Sequence, residues 1–122
     1  MEENRNIAPV KLEMLMAIVH KDKVAYFSSL IQSHKANFQF HTPAQGTTHL
    51  ILNYLGLAER PKTLILSIVR ADEAQALIDQ LDETFAKGKE YKGIAFTVSL
   101  TSIIGTLAYG FLSNEKRVKE EA

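Results

Sequence analysis

The side chains here that could do chemistry are lysines set beside glycines. Residues 88–93 read Gly-Lys-Glu-Tyr-Lys-Gly, and Lys62 follows Pro61 at the head of an apolar run. Glycines let a backbone come close to a bound ligand, and the neighbouring lysines add charge, so these residues are the candidates for a binding site. Each also has an ordinary explanation. Gly88 can simply end a helix, Lys62 can fringe a strand, and Lys89 and Lys92 can be solvated loop lysines. Gly93 has no such local reason, which makes a place beside a ligand the better account of it. Other chemistries find less support. His20, His34, His41 and His49 lack i,i+4 pairing and a carboxylate-rich motif, so the sequence offers no metal site. No nucleophile has a base beside it in sequence, which argues against an enzyme.

Composition narrows the classes further. Fourteen basic and fourteen acidic residues cancel over 122 residues, which speaks against a surface that neutralises many nucleic-acid phosphates. The absence of cysteine excludes disulfides, thiolate metal sites and thiol catalysis. The polar start MEENRNIAPV lacks the order of a secretory signal, and a cytoplasmic location is the default expectation. Residues 94–112 carry no charge, yet Thr97, Ser99, Thr101, Ser102, Gly105, Thr106 and Gly110 dilute their hydrophobicity. A spanning helix needs about 20 predominantly apolar residues, so GIAFTVSL reads instead as a buried strand, with residues 101–112 as an apolar extension packing on a neighbouring subunit.

The elements that would position the lysines and glycines follow from periodicity. Residues 11–19 form a first strand. Asp22 is placed to cap a helix over residues 22–34, in which Val24, Phe27, Leu30 and Ile31 share a face. NFQFHT alternates Phe38 and Phe40 against Gln39 and His41, a second strand with one side buried. Residues 61–69 form a third strand opened by proline. A second helix follows, with Asp72 and Glu73 in its first turn, a stripe of Ala74, Leu77, Ile78, Leu81 and Phe85, and a glycine stop at Gly88. Residues 93–100 are the fourth strand.

This order predicts an α+β, ferredoxin-like βαββαβ sandwich: a four-stranded antiparallel sheet with two helices on one face. Strand–helix–strand units of this size also imply parallel pairing across each helix. Residues 1–10 are an N-terminal arm, 11–112 the domain and 113–122 a charged tail. The connection over residues 42–61 is too long for a hairpin and could hold a short helix capped by Thr47 or Thr48. Apolar residues at both parities of the strands ask for cover on both sheet faces, which self-association would supply.

In this order of segments the chain resembles the PII-type nitrogen-regulatory signalling proteins and their PII-like relatives. KLEMLMAIVHKDKVAYFSSLIQSHKANFQF resembles the family's first strand, helix and second strand, RPKTLILSIV its third strand, and GKEYKGIAF its glycine-rich turn and last strand. The resemblance implies a regulatory homotrimer with adenine nucleotides (AMP, ADP or ATP) in intersubunit clefts. It also implies a loop between strands two and three that docks on a target, such as a membrane transporter or a metabolic enzyme. Carried over by position, Gly46, Lys62, Gly88 and Gly93 would bind nucleotide; Lys89 beside the turn could replace part of the charge the family has, and Thr47, Thr48, His49 and Tyr54 in the connection would face the partner. Tyr91 and Ile94 stand where the family has a glycine and a lysine, and residues 93–115 contain no basic residue where it has arginines. These departures point to a ligand with less phosphate than ATP. Two other classes fit the same fold: a ligand-independent adaptor module, and a metal-binding trimer of the copper-tolerance kind.

Overall fold

The computed structural model describes residues 10–45 and 61–102. Strand β1 (Leu12–His20) leads through a 3-10 turn (Lys21–Lys23) into helix α1 (Val24–Gln32), and β2 (Phe38–Ala44) follows. The second half repeats the order with β3 (Lys62–Arg70), α2 (Ala71–Phe85), a 3-10 turn (Lys89–Tyr91) and β4 (Gly93–Ser99). All pairings are antiparallel and the sheet order is β2-β3-β1-β4. The ferredoxin-like α+β architecture read from the sequence is therefore the one observed. Parallel pairing across each helix is not. β3 is inserted between β1 and β2, and β1 between β3 and β4, so the strands of each βαβ unit are separated by an antiparallel neighbour.

The core lies between the sheet and the helices. Leu15, Ala17, Val19, Ile65 and Val69 project from one face and are fully covered by Phe27, Leu30 and Ile31 of α1 and by Ala74, Leu77 and Leu81 of α2. Burying each large aliphatic or aromatic side chain of this kind contributes roughly 1.5–3 kcal/mol, so the helical stripes seen in the sequence are what fasten the helices down. Phe27 and Phe85, with ring centres 5.6 Å apart, join the two helices. Ser67 is the polar residue at the centre of this layer; its hydroxyl donates to the carbonyl of Phe38 at 2.7 Å, which satisfies it while fastening edge strand β2.

Several local expectations are corrected. Asp22 sits within the 3-10 turn instead of capping α1; the cap position falls to Lys23, with no side-chain capping bond, because the tighter turn lets the Val24 amide reach the Lys21 carbonyl. Gly88 is not the glycine that stops α2. That helix ends at Phe85, and Gly88 opens the following 3-10 turn, its carbonyl accepting from the Tyr91 amide at 3.0 Å. β2 runs on through Ala44, so residues 42–44 belong to the strand; Pro43 is tolerated there because β2 lies at the edge of the sheet.

The side of β2 that is covered is also reversed. Gln39 faces the helices, exchanging hydrogen bonds of 2.9 Å with the hydroxyl and carbonyl of Ser28 on α1, whereas Phe38 and Phe40 point away and are 41% and 54% exposed. They belong to the sheet's other face, where the register aligns three rows across all four strands. Phe38, Ile68, Met14 and Val98 form one row; Phe40, Leu66, Met16 and Phe96 the next; Thr42, Leu64, Ile18 and Ile94 the third. Eleven of these twelve residues are apolar, and neither helix covers them.

Candidate functional site

Strand register decides which of the sequence candidates meet. Lys62 opens β3 opposite His20 on one side and Ala44 on the other, and Gly93 opens β4 opposite Val19. The amide of Lys21 donates to the carbonyl of Pro61 at 2.9 Å, tying the first 3-10 turn to the entrance of β3. Lys62, Gly88, Lys89 and Gly93 are thus brought to one end of the sheet, and β2 leaves for the connection from that same end. Gly46, Thr47, Thr48, His49 and Tyr54 lie outside the described residues, as do the positions after residue 102 where basic residues were sought.

That end is basic. Residues 21–23, 61–62 and 87–93 hold six lysines, Lys21, Lys23, Lys62, Lys87, Lys89 and Lys92, against two acids, Asp22 and Glu90. A chain with no net charge therefore concentrates positive charge at one pole, where a modest field can gather anions. Lys21 and Lys23 had no place in the sequence reading because HKDK looked like a polar break before a helix. The signal was their spacing from β1: a central strand ending at residue 20 puts both lysines between the entrances of β3 and β4.

Aromatic rings organise part of this cluster. Lys23 Nζ lies 3.3 Å from Glu90 Oε1 and 4.7 Å from the centre of the Tyr91 ring. Tyr91 in turn packs edge-on against Tyr26, with ring centres 5.5 Å apart, and Lys87 Nζ donates to the Tyr26 hydroxyl at 3.2 Å. The turn at residues 88–92 is held against the start of α1 by these contacts. The hydrogen bond to Glu90 raises the pKa of Lys23 above its ordinary value, and the bond from Lys87 lowers that of the Tyr26 phenol.

The two glycines of the turn have different reasons. Gly88 has φ +159° with open space around a built β-carbon, a constraint of backbone conformation alone. Gly93 has a packing reason: a side chain there would strike the Ile18 carbonyl and the Phe85 ring. Next to it, a groove of about 300 Å³ runs between α2 and β4, floored by Ile78, Leu81, Phe85 and Ala95 and rimmed by Asp79 and Asp82. Its carboxylates disfavour phosphate, so the lysine-rich end and not this groove is the candidate anion site.

The histidines are dispersed. His20 is buried at the end of β1. His34 links the end of α1 to α2 through Gln80 at 2.7 Å and Glu73 at 3.4 Å, and His41 lies beside Gln39 at 3.2 Å. Among the described residues no group of three or more histidines and carboxylates is placed to hold a metal ion. Among the same residues no helix is long and apolar enough to cross a membrane, and residues 94–99 of the uncharged stretch lie in β4.

The architecture is that of the PII-like signalling proteins. Similar solved structures include CPII, a nitrogen regulatory PII-like protein from Thiomonas intermedia K12, in its complex with ADP, AMP and acetate (TM-score 0.59, 13% identity, covering 79% of this chain and 94% of that one). Arabidopsis thaliana PII bound to citrate is similar as well (TM-score 0.57, 17% identity, 80% and 84% covered). So is CutA from Synechococcus elongatus PCC7942 complexed with Bis-Tris (TM-score 0.61, 15% identity, 87% and 94% covered). No protein-family model matches the sequence, and no curated protein matches it. At these identities the likeness is one of fold.

Proposed function

We propose that this chain is a PII-like regulatory protein. It assembles as a homotrimer through the bare sheet face, binds an adenine nucleotide at clefts between subunits, and controls a target protein through the connection between β2 and β3. The observation that carries this reading is the lysine-rich pole, where Lys62 and the Gly88–Gly93 turn flank the end of β1 beside the point at which β2 leaves the sheet. Nucleotide-bound CPII supports the ligand class by analogy of fold. Binding regulates because a ligand that prefers one arrangement of the connection shifts the population toward it.

A ligand-independent adaptor with the same assembly is favoured by one observation, the packing reason for Gly93, which needs no ligand to explain it. Titration calorimetry with AMP, ADP and ATP separates the two readings. Saturable heat that weakens as salt rises, and weakens also in Lys62→Gln, is the expected outcome. Absence of heat with all three nucleotides leaves the adaptor.

A further inference from the structure

The turn at residues 88–92 contains its own anion. Glu90 is the single acid among the lysines of residues 87–92, and its carboxylate reaches Lys23 in the 3-10 turn before α1. Lys23 is held in place by a second contact, over the ring of Tyr91, and its side chain is 26% exposed, whereas that of Glu90 is 61% exposed. One partner is therefore anchored and the other is not. An ion pair so open to water is weak and is screened by salt, and a ligand bearing two or more negative charges at the same pole can displace its carboxylate.

We propose that Glu90 sets the charge preference of this pole: its carboxylate occupies Lys23 in the free protein and must be displaced by an incoming phosphate. The inference rests on the regulatory reading above and adds the residue that decides how much phosphate the site accepts. Each added phosphate charge feels both the masking of Lys23 and direct repulsion from Glu90, so Glu90 reduces the advantage that a triphosphate has over a monophosphate at this basic pole. Tyr91 contributes by positioning, since its ring keeps Lys23 within reach of the turn whether or not Glu90 is engaged.

The test is calorimetry of AMP, ADP and ATP on the full chain and on Glu90→Gln, Lys23→Gln, the double variant, and Asp72→Asn, which removes an exposed charge at the opposite end of the sheet. Glu90→Gln should bind ADP about twofold to fivefold more tightly, the scale of one exposed charge contact. The gain should be larger for ATP than for AMP and should shrink at high salt. It should be largely lost in the Lys23→Gln background. Equal affinities for the parent and Glu90→Gln, an equal gain from Asp72→Asn, or a gain undiminished without Lys23 would each overturn the inference while leaving nucleotide binding intact. If no variant binds any nucleotide, the regulatory reading fails and this one fails with it.

Discussion

A β-carbon built on Gly93 lies 2.7 Å from the carbonyl oxygen of Ile18 and 2.8 Å from Phe85 Cε1. The first neighbour is backbone of the central strand and cannot yield, so even alanine forces β4 outward. Gly93→Ala is expected to destabilise the fold by about 1–3 kcal/mol, as overpacking does, and Gly93→Val by more. Gly88 should behave differently, because nothing lies within 4 Å of its built β-carbon and only the φ of +159° resists substitution. There, alanine and leucine should cost about the same. Urea denaturation checks both: the midpoint moves with side-chain size at residue 93 but not at residue 88, with an unchanged slope.

At the scale of elements, α2 starts with a charge device that responds to pH. Arg70 donates to both carboxylate oxygens of Asp72, from Nε at 3.0 Å and Nη2 at 2.7 Å, in the first turn of the helix. These bonds lower the pKa of Asp72 below the usual carboxylate range. A depressed value means that the folded state binds this proton less readily than the unfolded chain. The stabilisation is therefore present above the unfolded pKa and is lost as pH falls through the folded one. Discounted for solvent, since the side chain is 57% exposed, it amounts to a few tenths up to about 1 kcal/mol. Asp72→Asn should lower the thermal midpoint slightly at neutral pH, and the two melting curves should converge in strong acid.

The helices and strands themselves could be read from the chain because period and caps are local signals. The stripes of α1 and α2 bury as their spacing demands, and all four strands fall within two residues of where alternation and β-branched content put them. What the sequence hid depends on neighbours far along the chain. Phe38 and Phe40 announce an apolar side of β2 but not whether a helix lies over it; Gln39, hydrogen-bonded to Ser28, shows that the helix is on the other side. Gly93 seemed to need a ligand because the Ile18 carbonyl that crowds it is 75 residues away in sequence. Lys23 entered the site only when Glu90 and Tyr91 were folded against it.

At the scale of the whole molecule, the sheet face opposite the helices presents apolar rows that neither described helix covers. Its middle row, Phe40, Leu66, Met16 and Phe96, crosses every strand, with Phe40 54% and Phe96 43% exposed. Contiguous apolar surface of this kind marks an interface, and closed symmetric assembly is the common way to cover it. Sedimentation should find the parent chain as a trimer and Phe40→Glu combined with Phe96→Glu as a monomer, since a carboxylate at the centre of a dry interface cannot be desolvated without a partner. A monomer that keeps its helical circular dichroism would show that the face serves assembly and not the fold.

The strand order has one more consequence, for the chain as it is made. β1 and β2 are both in place early, but neither is the other's neighbour; each pairs with β3, and β1 also with β4. During synthesis, then, the amino-terminal half has no ladder to form and waits as helix and loose strand until residues 62–70 leave the ribosome and zip between them. The interval is one in which Phe38 and Phe40 have no sheet to belong to, the kind of exposure that makes an unfinished chain prone to aggregate.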